Sequence, residues 1–293
     1  MAMPRGGPDG AESPMIVDSH THIFPDEVRR DRQRYAGKDP AFGELYTDEK
    51  AKMVGMEELI RAMDEAGVDK AVACGFPWSD SALCAAGNDY ILEGMRRFPE
   101  RIIGFACIQP NDRNKAVEEA ERCISLGMRG IGELACYPPA HGSYDIDSLR
   151  PICEILRSAD LPLMLHSNEM VGHWYPGKCT ITLKSIYDFI RAFPGLRVIL
   201  AHWGGGFFFY ELMPEVATAA GRTWYDTAAS PFLYRRKIYA VAVSIVGADR
   251  ILFGSDYPLI RPERYIQEME DSGLGEEERR KILGQNIMHL LNL

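Results

Sequence analysis

Short runs of Val, Ile, Leu and Ala recur along the chain. Longer stretches separate them, in which apolar residues fall every third or fourth position. The runs predict eight strands, over Ile16–His22, Asp69–Gly75, Ile102–Ile108, Arg129–Leu134, Leu161–His166, Arg197–His202, Thr223–Thr227 and Arg250–Ser255. Between them, sets such as Val117, Ala120, Ile124 and Leu126, or Leu149, Ile152, Ile155 and Leu156, follow helical spacing. Gly and Pro in Glu65-Ala66-Gly67, Phe98-Pro99-Glu100 and Phe193-Pro194-Gly195 stop one element and aim the chain into the next strand. Strands apolar on both faces that alternate with helices imply parallel pairing in a buried sheet. Eight such units favour closure, so the expected fold is α/β, a single-domain (β/α)8 TIM barrel over residues 15–293. Residues 1–14, rich in Gly and Pro, are expected to be a flexible tail. The polar insertion Phe24–Met53 after the first strand, with Tyr35, Phe42 and Tyr46, is expected to wall or cover the active site. The stretch Glu276–Leu293 is expected to pack helices on the barrel's outside.

In a parallel barrel the chemistry collects where strands end. His20 and His22 stand at i and i+2, so both imidazoles face one side of the first strand. Imidazole is the commonest metal ligand near neutral pH. Glu133, His166, His202 and Asp256 end the fourth, fifth, sixth and eighth strands. Three neutral imidazoles and a carboxylate suit a divalent ion, with Zn²⁺ the leading candidate and one or two ions possible; Mn²⁺, Fe²⁺ and Co²⁺ accept the same ligands. A bound ion lowers the pKa of its water from about 15.7 towards ~7. Asp256 is placed to take that water's proton, and His202 to polarise a substrate carbonyl. The bland alternative for Asp256 is a helix cap.

Phe24, Trp78, Tyr137, His173, Trp174 and Trp203 follow strand ends and are expected to contact a substrate. Asp226 is expected to bond either a neighbouring site residue or the substrate. Asn168 and Glu169 add polar groups to the rim, and Phe207 and Tyr257 add aromatic ones. His141 is read as a solvated loop residue and His289 as structural. No Arg or Lys ends a strand to clamp a carboxylate, and Lys178, Arg235 and Arg236 reach only from loops.

Composition narrows the partners to small molecules. The 33 basic and 42 acidic side chains give a formal charge of −9, which repels nucleic acid. No apolar run approaches the ~20 residues of a membrane span. The seven cysteines are dispersed without a C-x-x-C, which fits buried thiols in a reducing cytoplasm.

Three motifs carry a resemblance that spans nearly the whole chain: Asp18-Ser19-His20-Thr21-His22, the L-A-H-W-G-G at Leu200–Gly205, and the F-G-S-D-Y-P at Phe253–Pro258. With them the chain resembles the amidohydrolase superfamily, specifically its amidohydrolase-2 branch, home of aminocarboxymuconate-semialdehyde decarboxylase and related hydrolases and decarboxylases. The resemblance implies that His20, His22, His166 and Asp256 hold the metal, with His202 as an acid/base group or a ligand to a second ion. It also implies two roles for Glu133: a bridge between two ions, as in binuclear hydrolases, or an acceptor orienting a ligand His. A homodimer is compatible with the branch. The expected function is metal-dependent hydrolysis of an ester, lactone or amide-type C–O or C–N bond. The alternative is non-oxidative decarboxylation of a small carboxylic acid, which a closed Glu133-bridged pair of ions disfavours. A metal-binding scaffold without turnover is the third reading.

Overall fold

The computed structural model describes residues 14–135 and 143–293. Each apolar run forms a strand: β1 (Val17–His22), β2 (Lys70–Cys74), β3 (Ile102–Gly104), β4 (Ile131–Leu134), β5 (Pro162–Leu165), β6 (Arg197–Leu200), β7 (Thr223–Asp226) and β8 (Ile251–Leu252). Every paired neighbour is parallel, in the order β1-β2-β3 and β4-β5-β6-β7-β8. Two seams join these arcs. Ala106 bridges Ile131, and Gly132 N–H donates to Ala106 O at 2.8 Å. Thr21 bridges Tyr257, and Ser19 N–H donates to Phe253 O at 2.7 Å. The ring is closed, and the fold is a TIM barrel. Of the expected tail over residues 1–14, all but Pro14 lies outside the described residues.

Alternation along the strands sorts the core into two layers. Val17, Val72, Cys74, Ile103, Met164, Ile199 and Leu252 pack together inside the ring. Their sequence neighbours Ala71, Ala73, Ile102, Leu163, Leu165, Val198, Leu200 and Ile251 pack outward against the helices. Gly132 leaves β4 without a side chain where a Cβ would lie 2.6 Å from Met164.

The C-terminal stretch departs from expectation. It forms helical segments over Glu276–Arg280, Lys281–Gln285 and Asn286–Leu290. Ile287, Leu290 and Leu291 join the interior cluster rather than the outer layer. Arg197, the first residue of β6, donates to the Leu290 carbonyl. The segment therefore closes the N-terminal mouth of the barrel, opposite the strand ends that carry the chemistry. The i, i+3, i+4 spacing of these residues gives one apolar helix face, and the barrel floor supplies the apolar hole that it fills.

The insertion after β1 folds into helices over Asp26–Arg30, Arg32–Ala36 and Pro40–Tyr46. Phe24, Val28, Tyr35, Phe42, Phe76, Trp78 and Cys84 form its core. Asp39 caps the third helix by accepting from Phe42 N–H at 2.9 Å, and accepts from Ser79 N–H and Oγ at 2.8 Å. This carboxylate ties the insertion to the loop after β2, so the insertion is a packed wall.

Candidate metal centre

His20 and His22 leave β1 with their Nε2 atoms 3.0 Å apart. The far nitrogen of each ring faces an acceptor. His20 Nδ1 lies 2.8 Å from Asp226 Oδ2, and His22 Nδ1 lies 3.3 Å from Gly75 O. An ionised carboxylate and a carbonyl only accept, so both Nδ1 atoms carry the proton and both Nε2 atoms keep a lone pair. Asp256 Oδ1 closes the group at 3.4 Å from His22 Nε2 and 3.9 Å from His20 Nε2. With both rings neutral, three acceptors thus converge with no donor between them. That donor set fits a divalent cation. Burial lowers the His20 pKa, but the carboxylates of Glu133, Asp226 and Asp256 outweigh it and push it up to about 10. The centre calls for positive charge.

A second group sits beside the first. Glu133 Oε1 lies 3.0 Å from His166 Nδ1 and 3.3 Å from His202 Nε2. His202 Nδ1 lies 3.2 Å from Ala228 O. Glu133 also reaches 3.8 Å from both His20 Nε2 and His22 Nε2, so it stands between the two triads. Against the cost of burial, His166, His20 and His202 hold its carboxyl well below the usual range. The ligand atoms within each triad, His20–His22–Asp256 and Glu133–His166–His202, all lie within 4.8 Å of one another. The five expected ligands His20, His22, Glu133, His166 and Asp256 come together, and His202 joins them as a sixth residue.

The backbone at these strand ends is constrained. His202 and Asp256 adopt left-handed φ of 55° and 57°, uncommon for non-glycine residues. After His202 the left-handed run continues through Trp203, Gly204, Gly205 and Gly206.

A family model for amidohydrolases, Amidohydro_2, matches residues 17–293. The chain belongs to the amidohydrolase family. Gamma-resorcylate decarboxylase of Polaromonas sp. is 24% identical over 81% of this chain and 87% of its own length. The 2-amino-3-carboxymuconate-6-semialdehyde decarboxylase of Dictyostelium discoideum is 24% identical over 94% of this chain and 91% of its own. A crystal structure of dihydroxybenzoic acid decarboxylase from Polaromonas sp., with manganese and 2-nitroresorcinol bound, is 20% identical. It superposes with a TM-score of 0.73 over 96% of this chain and 98% of that one, which shows the shared barrel.

This amidohydrolase is an enzyme with a divalent-metal site. The expectation of ester, lactone or amide hydrolysis is corrected, because the curated relatives that run along most of the chain are decarboxylases. The physical reason is that one set of His and carboxylate ligands serves either chemistry. The expectation of zinc is not carried further: the solved relative binds manganese, and the two triads, which hold no cysteine among the described residues, admit both metals.

The other expected site residues separate. Asp226 is fully buried, and both its oxygens are engaged, Oδ2 with His20 and Oδ1 with the N–H groups of His202 and Ala228 at 2.8 and 3.0 Å. It orients site residues and has no face left for a substrate. Trp203 is fully buried, donates to Ser230 Oγ at 2.9 Å and packs on Tyr239. The left-handed turn sends it into the core instead of the pocket. Phe24 and Trp78 belong to the insertion's core, Trp78 stacked on Phe42 at 4.6 Å. His173 and Trp174 stand exposed on the loop after β5. Tyr137 and His141 lie outside the described residues. Lys178 donates to Val171 O and His173 O at 2.9 and 3.2 Å, so its ammonium fastens its own loop. Arg235 and Arg236 line a surface hollow, where Arg236 pairs with Asp271 at 2.9 Å.

Sequence reading placed Tyr46 in the insertion expected to wall the site without giving it a role of its own. Its ring packs on Phe24, Phe42 and Phe76. Burial first, then the charges of Asp256 and Glu133, push its phenol above the usual range.

Proposed function

We propose that this amidohydrolase is a metal-dependent, non-oxidative decarboxylase of a small carboxylic acid. The observation that carries the reading is the convergence of His20, His22 and Asp256 acceptors, with no donor between them, in a chain whose curated relatives are decarboxylases. His20, His22 and Asp256 would hold one ion, with Glu133 and His166 completing its surroundings. The Glu133–His166–His202 cluster favours a second ion as the alternative arrangement. When bound, a divalent cation offsets the negative charge of the substrate carboxylate and of the electrons left on carbon as CO2 departs.

The chain's own groups supply orientation and a proton. Asp226 and Gly75 O fix the rings of His20 and His22. Burial lowers the His202 pKa, but Glu133 more than restores it, so the net shift is upward. With Nδ1 on the Ala228 carbonyl, Nε2 is the atom that holds the mobile proton and delivers it to the substrate carbon. The packed insertion limits water on one side. Among the described residues no helix is long and apolar enough to cross a membrane, and the six described cysteines are free and buried. Free thiols support a reducing, cytoplasmic setting.

The test is CO2 release by manganese- or zinc-loaded protein across hydroxy- and amino-substituted aromatic acids and muconate-type acids. Reaction in D2O should leave one deuterium on the vacated carbon. Metal-replete, folded protein that releases no CO2 from any of them refutes the reading.

A further inference from the structure

The opening D-x-H-x-H motif holds a third polar residue that no ligand role uses. Asp18 stands two positions before His20 and is buried. Its carboxyl spans the seam between β1 and the end of β8. Oδ1 accepts from Ser255 N–H at 2.9 Å and from His20 N–H at 3.2 Å. Oδ2 accepts from Ser255 Oγ at 2.5 Å. Ser255 directly precedes Asp256, so one side chain grips the backbone beside both the first ligand and the last. Burial pushes the Asp18 carboxyl up to about 7. A proton on Oδ2 leaves Oδ1 accepting from the same two N–H groups, so the grip does not depend on charge.

The rest of the seam holds the same residues. Ser255 Oγ accepts from Tyr257 N–H at 3.0 Å, and Ser255 O accepts from Tyr265 OH at 2.6 Å. Every polar atom of Ser255 is thus engaged. Asp256 N–H donates to His20 O at 2.9 Å, and His22 N–H donates to Tyr257 O at 2.7 Å. Gly254 lets the two strand ends approach closely, since a Cβ there would lie 2.8 Å from the His20 Cβ. Asp256 keeps its left-handed φ of 57°, a conformation that persists where the surroundings dictate it. Its Oδ1 comes to 3.4 Å from His22 Nε2 and 3.9 Å from His20 Nε2.

We propose that Asp18 is a positioning residue of the metal centre. It fixes the end of β8 to the end of β1, and so sets where Asp256 meets the nitrogens of His20 and His22. The partners stand 237 positions apart and meet only because the ring closes. The role goes beyond the decarboxylase reading, because it concerns how an ion is held, whichever bond breaks.

The test is equilibrium Mn²⁺ binding to the metal-free full chain, with urea melts on the same samples. Asp18→Ala removes every contact of the carboxyl and should weaken Mn²⁺ binding 10–100-fold, as loss of a group that orients a ligand does. Asp18→Asn keeps one oxygen for the two N–H groups, and its NH2 donates to the second lone pair of Ser255 Oγ, so it should bind within about 3-fold of wild type. Leu290→Ala, on the barrel floor, controls for lost stability alone and should bind Mn²⁺ as wild type does. If Asp18→Ala does not fold, Ser255→Ala frees Oδ2 and the Tyr257 N–H and should weaken binding at least ~3-fold. Native affinity in Asp18→Ala, or in Ser255→Ala where it stands in, overturns the proposal. A loss that Asp18→Asn does not restore, an equal loss in Leu290→Ala, or a wild type that binds no Mn²⁺ overturns it too. The expected affinities without CO2 release refute only the decarboxylase reading.

Discussion

Asp226→Asn isolates how the metal site is prepared. In the native centre Asp226 Oδ1 accepts from the N–H groups of His202 and Ala228, and Oδ2 accepts from His20 Nδ1. Asparagine offers one oxygen and one NH2 group. The two backbone donors, fixed in the loop, select the oxygen for their side. The NH2 group then faces His20 Nδ1, which must surrender its proton and accept. The ring proton moves to Nε2, the atom aimed at His22 Nε2 and Asp256. That nitrogen no longer has a lone pair for a metal. Loss of such a supporting carboxylate typically weakens metal binding 10–100-fold, or about 1.4–2.7 kcal/mol. Competition of Mn²⁺ and Zn²⁺ between protein and a chelating indicator measures the change. Nitrogen-15 shifts of His20 in the metal-free protein, taken above pH 10 where the ring is neutral, report the tautomer. Native metal affinity in the variant, with the His20 proton still on Nδ1, refutes the argument.

Three further substitutions probe other levels of the structure. Gly205→Ala puts a Cβ against the Asn168 carbonyl at a backbone φ of +58°, so it should destabilise by at least ~2 kcal/mol in urea melts and disturb the Glu169 loop; wild-type stability would contradict the close approach. Leu290→Ala opens a cavity in the barrel floor and should cost about 2–5 kcal/mol, while activity per metal-loaded molecule stays unchanged. Phe42→Ala empties the centre of the insertion's core, where it packs on Phe24, Phe76 and Trp78, and should cost about 3–5 kcal/mol in urea melts; wild-type stability would contradict the packed wall.

The barrel was legible because its cause is local. Each strand is a short apolar run bounded by turn residues, and each run paired in parallel as the alternation required. The convergence of the candidate ligands was legible for the same reason: strand ends face one rim, so residues that end strands meet. The C-terminal segment was misplaced because its apolar stripe fits a barrel's floor as well as its flank. Only the closed ring, with an apolar hole at its N-terminal mouth, decides between them. Trp203 was misread because a left-handed run reverses the direction that a strand end implies.

Support around the ligands is harder to read than the ligands. Asp226 and His20 stand 206 positions apart, and no spacing rule links β7 to the end of β1. Their contact exists because the ring closes, which carries β7 and β8 round beside β1. The choice of reaction lies one step further out. A cation held by imidazoles and carboxylates can activate water or steady a carbanion, so the motif that announces the metal is silent about which bond breaks. That choice rests with the groups that meet the rest of the substrate. Rim loops vary while the strand ends that they surround keep their ligands, which is how one barrel supports many reactions. Sequence motifs therefore locate the chemistry of this amidohydrolase, whereas its selectivity has to be argued from the rim loops that surround the strand ends.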